Sequence, residues 1–279
     1  MTSTASATVR STPQLSEPDA APADLTLVIP TYNECDRLDN LLERIFDVAD
    51  GHRVKVHVIV VDDNSKDGTG ERADQWAARG RVRVIHRPGK LGLGSAVLDG
   101  FALADSEIVG VMDADLSHPP DLIPLLYATM VGGELDIVVA SRYIPNAGTR
   151  NWPIRRLVLS RLACWMARPI TPVRDATSGF FLVRRECLSG FSTAVRGFKI
   201  GLELLVRAKP RRVAEVGYVF INRVSGESKM TVREGLAFLR QLSSLYASAL
   251  FQSASRPGHL IVAARPESPA TAVAGRVHT

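Results

Sequence analysis

Asp113 and Asp115 stand one residue apart at the end of the apolar run Ile108 to Met112, with Ser117 two positions further on. An apolar run of this length reads as a buried strand. The small Ala114 between the acids lets a strand end or tight turn carry both carboxylates on one side. Such an oxygen set suits a hard divalent cation, Mg²⁺ or Mn²⁺, that bridges to a diphosphate, because these ions take few protein oxygens and complete their shell with phosphate and water. His118, Pro119, Pro120 and Asp121 then open a helix, with proline pre-set for a first turn and an acid at the positive end of the dipole. Taken alone, the same residues also fit a solvated acidic turn after a core strand.

The elements that must position this stretch repeat its pattern. Leu25 to Pro30 is a first strand ending in Thr31, Tyr32, Asn33 and Glu34, before a helix from about Asp36 with Leu38, Leu41, Leu42, Ile45 and Phe46 at helical spacing. Val54 to Val61 is a second strand, and it ends in Asp62, Asp63, Asn64 and a Ser-Lys-Asp-Gly-Thr cap cluster. Val82 to Ile85 is a third, followed by a glycine-rich turn with Lys90 and the helix Ser95 to Ala104. A glycine turn fits phosphate binding and plain turn chemistry alike. Asp136 to Ala140 is a fifth strand, ending in Ser141, Arg142 and Tyr143. Strands alternating with helices at this spacing predict an α/β fold: a Rossmann-like, mostly parallel central sheet covered by helices on both faces, with ligands beyond the carboxyl ends of the strands. Every polar cluster named here falls on that edge, which favours the chemical reading of the two acids.

The bulk composition narrows the setting. The chain has 279 residues, 46% of them hydrophobic, and a net charge of +5. That fits one large domain, expected over residues 24–252, between disordered tails at 1–23 and 253–279. The positive charge points to an anionic partner such as phosphorylated substrate, membrane surface or nucleic acid. It is concentrated between Arg142 and Arg212, which hold 15 Lys and Arg against 3 acids. Within that stretch a helix at about 150–170 interleaves Leu157, Val158, Leu162, Trp165 and Met166 with Arg155, Arg156, Arg161 and Arg168. This pattern fits a helix lying in a membrane interface, and equally one packed on the sheet with a solvated basic face. No apolar run approaches the ~20 residues that cross a bilayer. The N-terminus lacks the apolar segment of a signal peptide, and the three cysteines form no C-x-x-C pair, so a reducing cytosol is expected. Further on, Asp175 to Arg185 reads as a loop into a strand, Lys199 to Ala208 as a helix, and Val213 to Asn222 as one late strand. Arg223 to Met230 reads as a Gly/Ser loop and Val232 to Leu250 as a closing helix.

The motifs VIPTYNE (Val28 to Glu34), VVDDNSKDGT (Val60 to Thr69), DADLSHPPD (Asp113 to Asp121), SRY at Ser141, SGFF at Ser178 and RVSGESKM (Arg223 to Met230) resemble the inverting family 2 glycosyltransferases of GT-A fold. Within them, the resemblance is to dolichyl- or polyprenyl-phosphate mannose synthases, and it runs from about Leu25 to Leu250. It implies a donor, GDP-mannose, a polyprenyl phosphate acceptor and a divalent metal. Pro30, Tyr32, Glu34, Val61 and Asp63 would hold the nucleoside, and Asp113 and Ala114 the nucleotide sugar. Asp115 and Ser117 would coordinate the metal, while Arg142, Lys199, Arg223 and Lys229 would surround the donor diphosphate and acceptor phosphate. Some relatives carry glutamine where this chain has Ser117, and some carry membrane spans after the final motif. The chain thus resembles the soluble-domain type, which implies a protein peripheral to the cytoplasmic face of a membrane and able to dock on an integral partner. A uridine-nucleotide glucosyl equivalent stays open. A processive polysaccharide synthase fits poorly without a Q-x-x-R-W motif, and a non-catalytic nucleic-acid-binding protein would leave the acid-tipped strands unexplained.

Overall fold

The computed structural model of the chain describes residues 22–189, 199–221, 232–251 and 258–262. Four strands, β1 (Leu25–Thr31), β2 (Val56–Asp62), β3 (Val82–His86) and β4 (Ile108–Val111), pair in parallel in the order β4-β1-β2-β3. Helices α1 (Cys35–Gly51), α2 (Thr69–Ala77) and α3 (Leu93–Leu103) connect them. Alternate residues of each strand face opposite layers: Leu25, Leu27 and Ile29 of β1 join one core cluster, and Val28 joins the other. The first cluster lies under α1, α2 and α4 (Ile123–Gly132), the second under α3 and α6 (Ile200–Arg207). Burial on both faces is why these strands read as unbroken apolar runs. Helix α1 has no side-chain bond at its N-cap but buries Leu38, Leu41, Leu42, Ile45, Phe46 and Ala49. Each large apolar side chain so buried contributes about 1.5–3 kcal/mol, which outweighs a missing cap of about 1 kcal/mol.

The sheet continues through β7 (Phe181–Arg184), β5 (Ile137–Ser141), β8 (Arg212–Gly217) and β10 (Gly258–Val262), giving eight strands in the order β10-β8-β5-β7-β4-β1-β2-β3. Among the described strands of this sheet only β7 runs antiparallel to its neighbours, so β5 and β8 keep the direction of β4 and their carboxyl ends share its edge. The start of β7 reaches that edge too. Gly110 sits at the centre of β4 where a Cβ would lie 2.5 Å from Leu182 and 2.6 Å from Leu27, so glycine allows β7 and β1 to close on β4.

Three expectations change. The segment expected as one strand from Val213 to Asn222 breaks after Gly217, and β9 (Val219–Ile221) leaves the main sheet to pair with β6 (Gly148–Arg150). The tail expected to be disordered from Ser253 contains β10, whose backbone pairs with edge strand β8 from Gly258 to Val262. The apolar run expected to reach Met112 as strand stops at Val111. Helices α5 (Ile154–Ala167), α6 and α7 (Val232–Phe251) share a third cluster formed by Ala167, Leu202, Val206, Phe238, Leu242 and Leu245. Met166 packs against this cluster, while Trp165 beside it is 71% exposed. One flank of the helix thus packs on the core and the other faces solvent.

Candidate active site

Past Val111 the chain turns rather than extending. Leu116 takes a left-handed backbone with φ of 60°, unusual for a bulky residue and a form of local strain that collects at functional sites. The turn is closed by Ser117 N–H donating to Asp115 Oδ1 at 2.9 Å. Asp115 is buried, whereas the Asp113 side chain stays 37% exposed. The Ser117 hydroxyl is buried and has no hydrogen-bond partner among the described residues, which is costly unless something else engages it.

His118 anchors the same turn. Its Nδ1 accepts from Asp113 N–H at 3.1 Å, so in the neutral ring the proton sits on Nε2, 3.8 Å from Asp113 Oδ2. The ring stacks on Phe180 at 5.2 Å and meets Tyr218 and Phe220 edge-on. This burial lowers its pKa below 6.5, with the opposing pull of Asp113 and Asp115 the smaller effect. Between that depressed value and 6.5 the unfolded chain binds a proton that the folded chain refuses. Stability is therefore expected to be complete above pH 6.5 and to fall as pH drops through the folded value. Urea midpoints measured against pH should slope in that window for wild type and flatten in His118→Phe. Equal slopes in both would refute the assignment.

Glycine at 179 fits beside these groups. A Cβ there would stand 3.5 Å from both Asp113 carboxylate oxygens and 3.4 Å from His118. Arg142, just past β5, lies nearby but is not a loose surface cation. Its backbone N–H and Nε donate to Asp175 Oδ2 at 2.9 and 2.7 Å, and Nη2 donates to Asp175 Oδ1 at 2.6 Å. Asp175 is fully buried and holds the guanidinium pKa above its already high ordinary value. Asp175 is in turn seated by Glu215 of β8, which accepts from the backbone N–H groups of Arg174 and Asp175 at 2.8 and 3.0 Å and contacts His259 of β10 at 2.9 Å. Lys199 Nζ donates to the Thr177 carbonyl at 3.2 Å, and Arg142 Nη2 donates to the Thr177 hydroxyl at 3.2 Å, so both cations gather on one loop. Burial, with Arg142 adding to it, lowers the Lys199 pKa.

At the β1 and β2 ends the loops are tied together. Asn33 N–H donates to Ser65 Oγ and Glu34 N–H to Thr69 Oγ1, each at 2.9 Å. Glu34 pairs with Arg37 at 2.8 Å. Lys90 Nζ lies 3.7 Å above the ring of Tyr32, so the glycine turn folds over this end. Asp63 is buried, accepting from Arg87 and from Gly92 N–H, the latter at 3.1 Å.

Tyr32, Glu34, Asp63, Asp113, Asp115, Ser117 and Arg142 all follow the carboxyl ends of parallel strands, and Lys199 joins Arg142 at the Thr177 loop. Pro30 is half-buried and faces Val61 across β1 and β2. The Val61 and Ala114 side chains are instead buried in the two core clusters, so these residues offer a ligand only backbone. Arg223 and Lys229 lie outside the described residues. Sequence reasoning did not single out Arg87, His118, Asp175 or Glu215 as site residues. Burial of a charged residue beside a named site residue was the signal, and it exists only in three dimensions.

A family model described as Glycosyl transferase family 2 matches residues 26–191. The chain belongs to this family. It is 38% identical to a dolichol-phosphate mannosyltransferase of Pyrococcus furiosus over 79% of its own length, spanning 63% of that protein. It is also 38% identical to the Saccharomyces cerevisiae dolichol-phosphate mannosyltransferase, over 80% of this chain and 87% of that one. Among solved structures it resembles a Pyrobaculum calidifontis mannosyltransferase in complex with GDP-Man and Mn²⁺, with a TM-score of 0.59 and 18% identity over 89% of this chain and 70% of that one. At that identity the structure supports the family's GT-A fold. No described helix is long and apolar enough to cross a membrane.

Proposed function

We propose that this family 2 glycosyltransferase moves mannose from GDP-mannose to a polyprenyl, dolichyl-type monophosphate, with inversion, at the cytoplasmic surface of a membrane. The observation that carries the reaction class is the meeting of the Asp113–Ser117 turn with the cations Arg142 and Lys199 on one sheet edge. The substrates follow from the likeness to two dolichol-phosphate mannosyltransferases.

A phosphate monoester with a second pKa of about 6 is largely ionised at neutral pH, so its oxygen can attack the anomeric carbon without a general base. The residues agree with that economy: His118 is neutral, fixed in one tautomer and stacked among aromatic rings. In this reading Tyr32, with Glu34, Asp63 and the backbone of Pro30 and Val61, receives the nucleoside. Asp113 and the Ala114 backbone meet the sugar end. Arg142 and Lys199, joined by Arg223 and Lys229, orient the acceptor phosphate in line and balance the diphosphate. Asp115 and Ser117 are hard oxygen donors, and the unpartnered Ser117 hydroxyl fits a ligand that the described residues do not supply. Mg²⁺ or Mn²⁺ held there would neutralise charge on the departing nucleotide.

A donor panel tests the substrates. GDP-mannose, UDP-glucose and UDP-N-acetylglucosamine, each offered with a polyprenyl phosphate and a divalent metal, should give the highest transfer rate for GDP-mannose. A uridine nucleotide winning would overturn the donor while keeping the reaction class.

A further inference from the structure

A cavity of about 560 Å³ lies against α5, outside the acid turn, with Arg142, Arg161, Arg168 and Arg174 in its lining and no carboxylate among the lining residues. Arg142 forms a buried wall whose charge is matched by Asp175. The other three are exposed, and among the described residues none has an ion-pair partner within 4.0 Å. Arg168 donates to the Pro172 carbonyl and Arg161 lies 5.8 Å over the Tyr143 ring, but no lining carboxylate offsets the three like charges, and an anion relieves their mutual repulsion. Tyr143, Ile144, Ala147, Cys164 and Trp165 complete the lining. A second cavity of about 560 Å³ adjoins it between α5 and α7, lined by Met166, Pro169, Leu242 and Tyr246 and sharing Trp165 and Arg168 with the first. A basic pocket thus shares its rim with a largely apolar one. Along α5 the exposed Ile154, Val158, Leu162 and Trp165 continue the apolar surface at helical spacing.

We propose that the arginine cavity binds the phosphodiester headgroup of an anionic bilayer phospholipid, with the neighbouring cavity taking the start of its acyl chain. The inference rests on the membrane-surface reading above and names a second lipid, distinct from the polyprenyl phosphate acceptor. An acceptor phosphate must reach the sugar near Asp113, whereas Arg161, Arg168 and Arg174 are exposed and, of the cavity's arginines, Arg142 alone is buried. The apolar neighbour argues for a lipid over free phosphate, which would use only the basic half. Guanidinium groups hold phosphate oxygens bidentately, and lysine keeps the charge but loses that geometry.

The test uses the full chain without nucleotide sugar or acceptor, sedimented with phosphatidylcholine vesicles lacking or containing phosphatidylglycerol. Arg161→Lys with Arg174→Lys should weaken binding to the anionic vesicles about fivefold to tenfold, as expected for two lost charge-assisted contacts. The charge-matched control, Arg155→Lys with Arg185→Lys, should bind like wild type. Equal binding by both doubles would mean diffuse attraction and overturn the site. Inorganic phosphate that raises the melting temperature of wild type but not of R161K/R174K, with vesicle binding equal, would replace the lipid by free phosphate. A raised KM for polyprenyl phosphate in detergent, again with vesicle binding equal, would make the cavity the acceptor's and overturn the second lipid. Wild-type transfer in detergent checks the enzymatic reading separately, so either proposal can fail alone.

Discussion

Asp115→Asn is expected to lower metal-dependent kcat by on the order of 10³-fold, because a carboxylate ligand to a divalent cation acts on charge that develops as the nucleotide departs. The fold should survive. Asparagine keeps a side-chain oxygen to accept from Ser117 N–H, the 2.9 Å bond that closes the turn, and the apolar floor of Met112 and Ala114 is untouched. The relevant measurement is kcat across a titration of Mg²⁺ and of Mn²⁺, with the melting temperature beside it. Turnover near wild type at saturating Mg²⁺ would remove Asp115 from the metal's ligands. Ser117→Ala provides a graded companion: it removes the unpartnered hydroxyl and should raise the metal concentration needed for half activity while altering kcat less.

The largest stability effect belongs to a residue with no chemistry of its own. Asp175 is fully buried and accepts three hydrogen bonds from Arg142, so Asp175→Ala strands a buried guanidinium. Breaking one partner of a buried ion pair costs about 3–5 kcal/mol. Urea unfolding should show that loss. Arg142→Met combined with Asp175→Ala should recover part of it, since removing both charges leaves none unpaired, and the double-mutant cycle should give a coupling of about 2 kcal/mol or more. A coupling below about 0.5 kcal/mol, the scatter of independent sites, would mean the two act separately. Activity adds a second reading: if Asp175 sets the aim of Arg142, Asp175→Asn should lower kcat more than it raises the KM for GDP-mannose.

The same pair shows where reading along the chain stops. Arg142 was legible as a cation at a strand end, because an apolar run followed by a polar cluster is a local pattern. Its buried partner stands 33 residues away. Asp63 and Arg87 are likewise 24 residues apart, and Glu215 and His259 are 44 apart. Val61 and Ala114 sit inside motifs that resemble a ligand site, yet their side chains belong to the core. Strand alternation assigns residues to two faces, but it does not say which face a helix will cover.

By itself the sequence determined the parallel α/β alternation, the acid-tipped strands, the basic second half and a helix with both apolar and basic character along α5. All of these arise from periodicity and from residues within a few positions of one another. The tertiary structure decided that β7 enters antiparallel between β4 and β5, and that the late strand splits so that β9 pairs with β6. It also decided that β10, in a segment of tail composition, becomes an edge strand on β8. The physical reason is common to these cases. Strand partners and buried ion pairs are selected by the free energy of contacts between distant segments, which weighs burial and desolvation against chain entropy, and no local window of sequence contains both sides of such a contact.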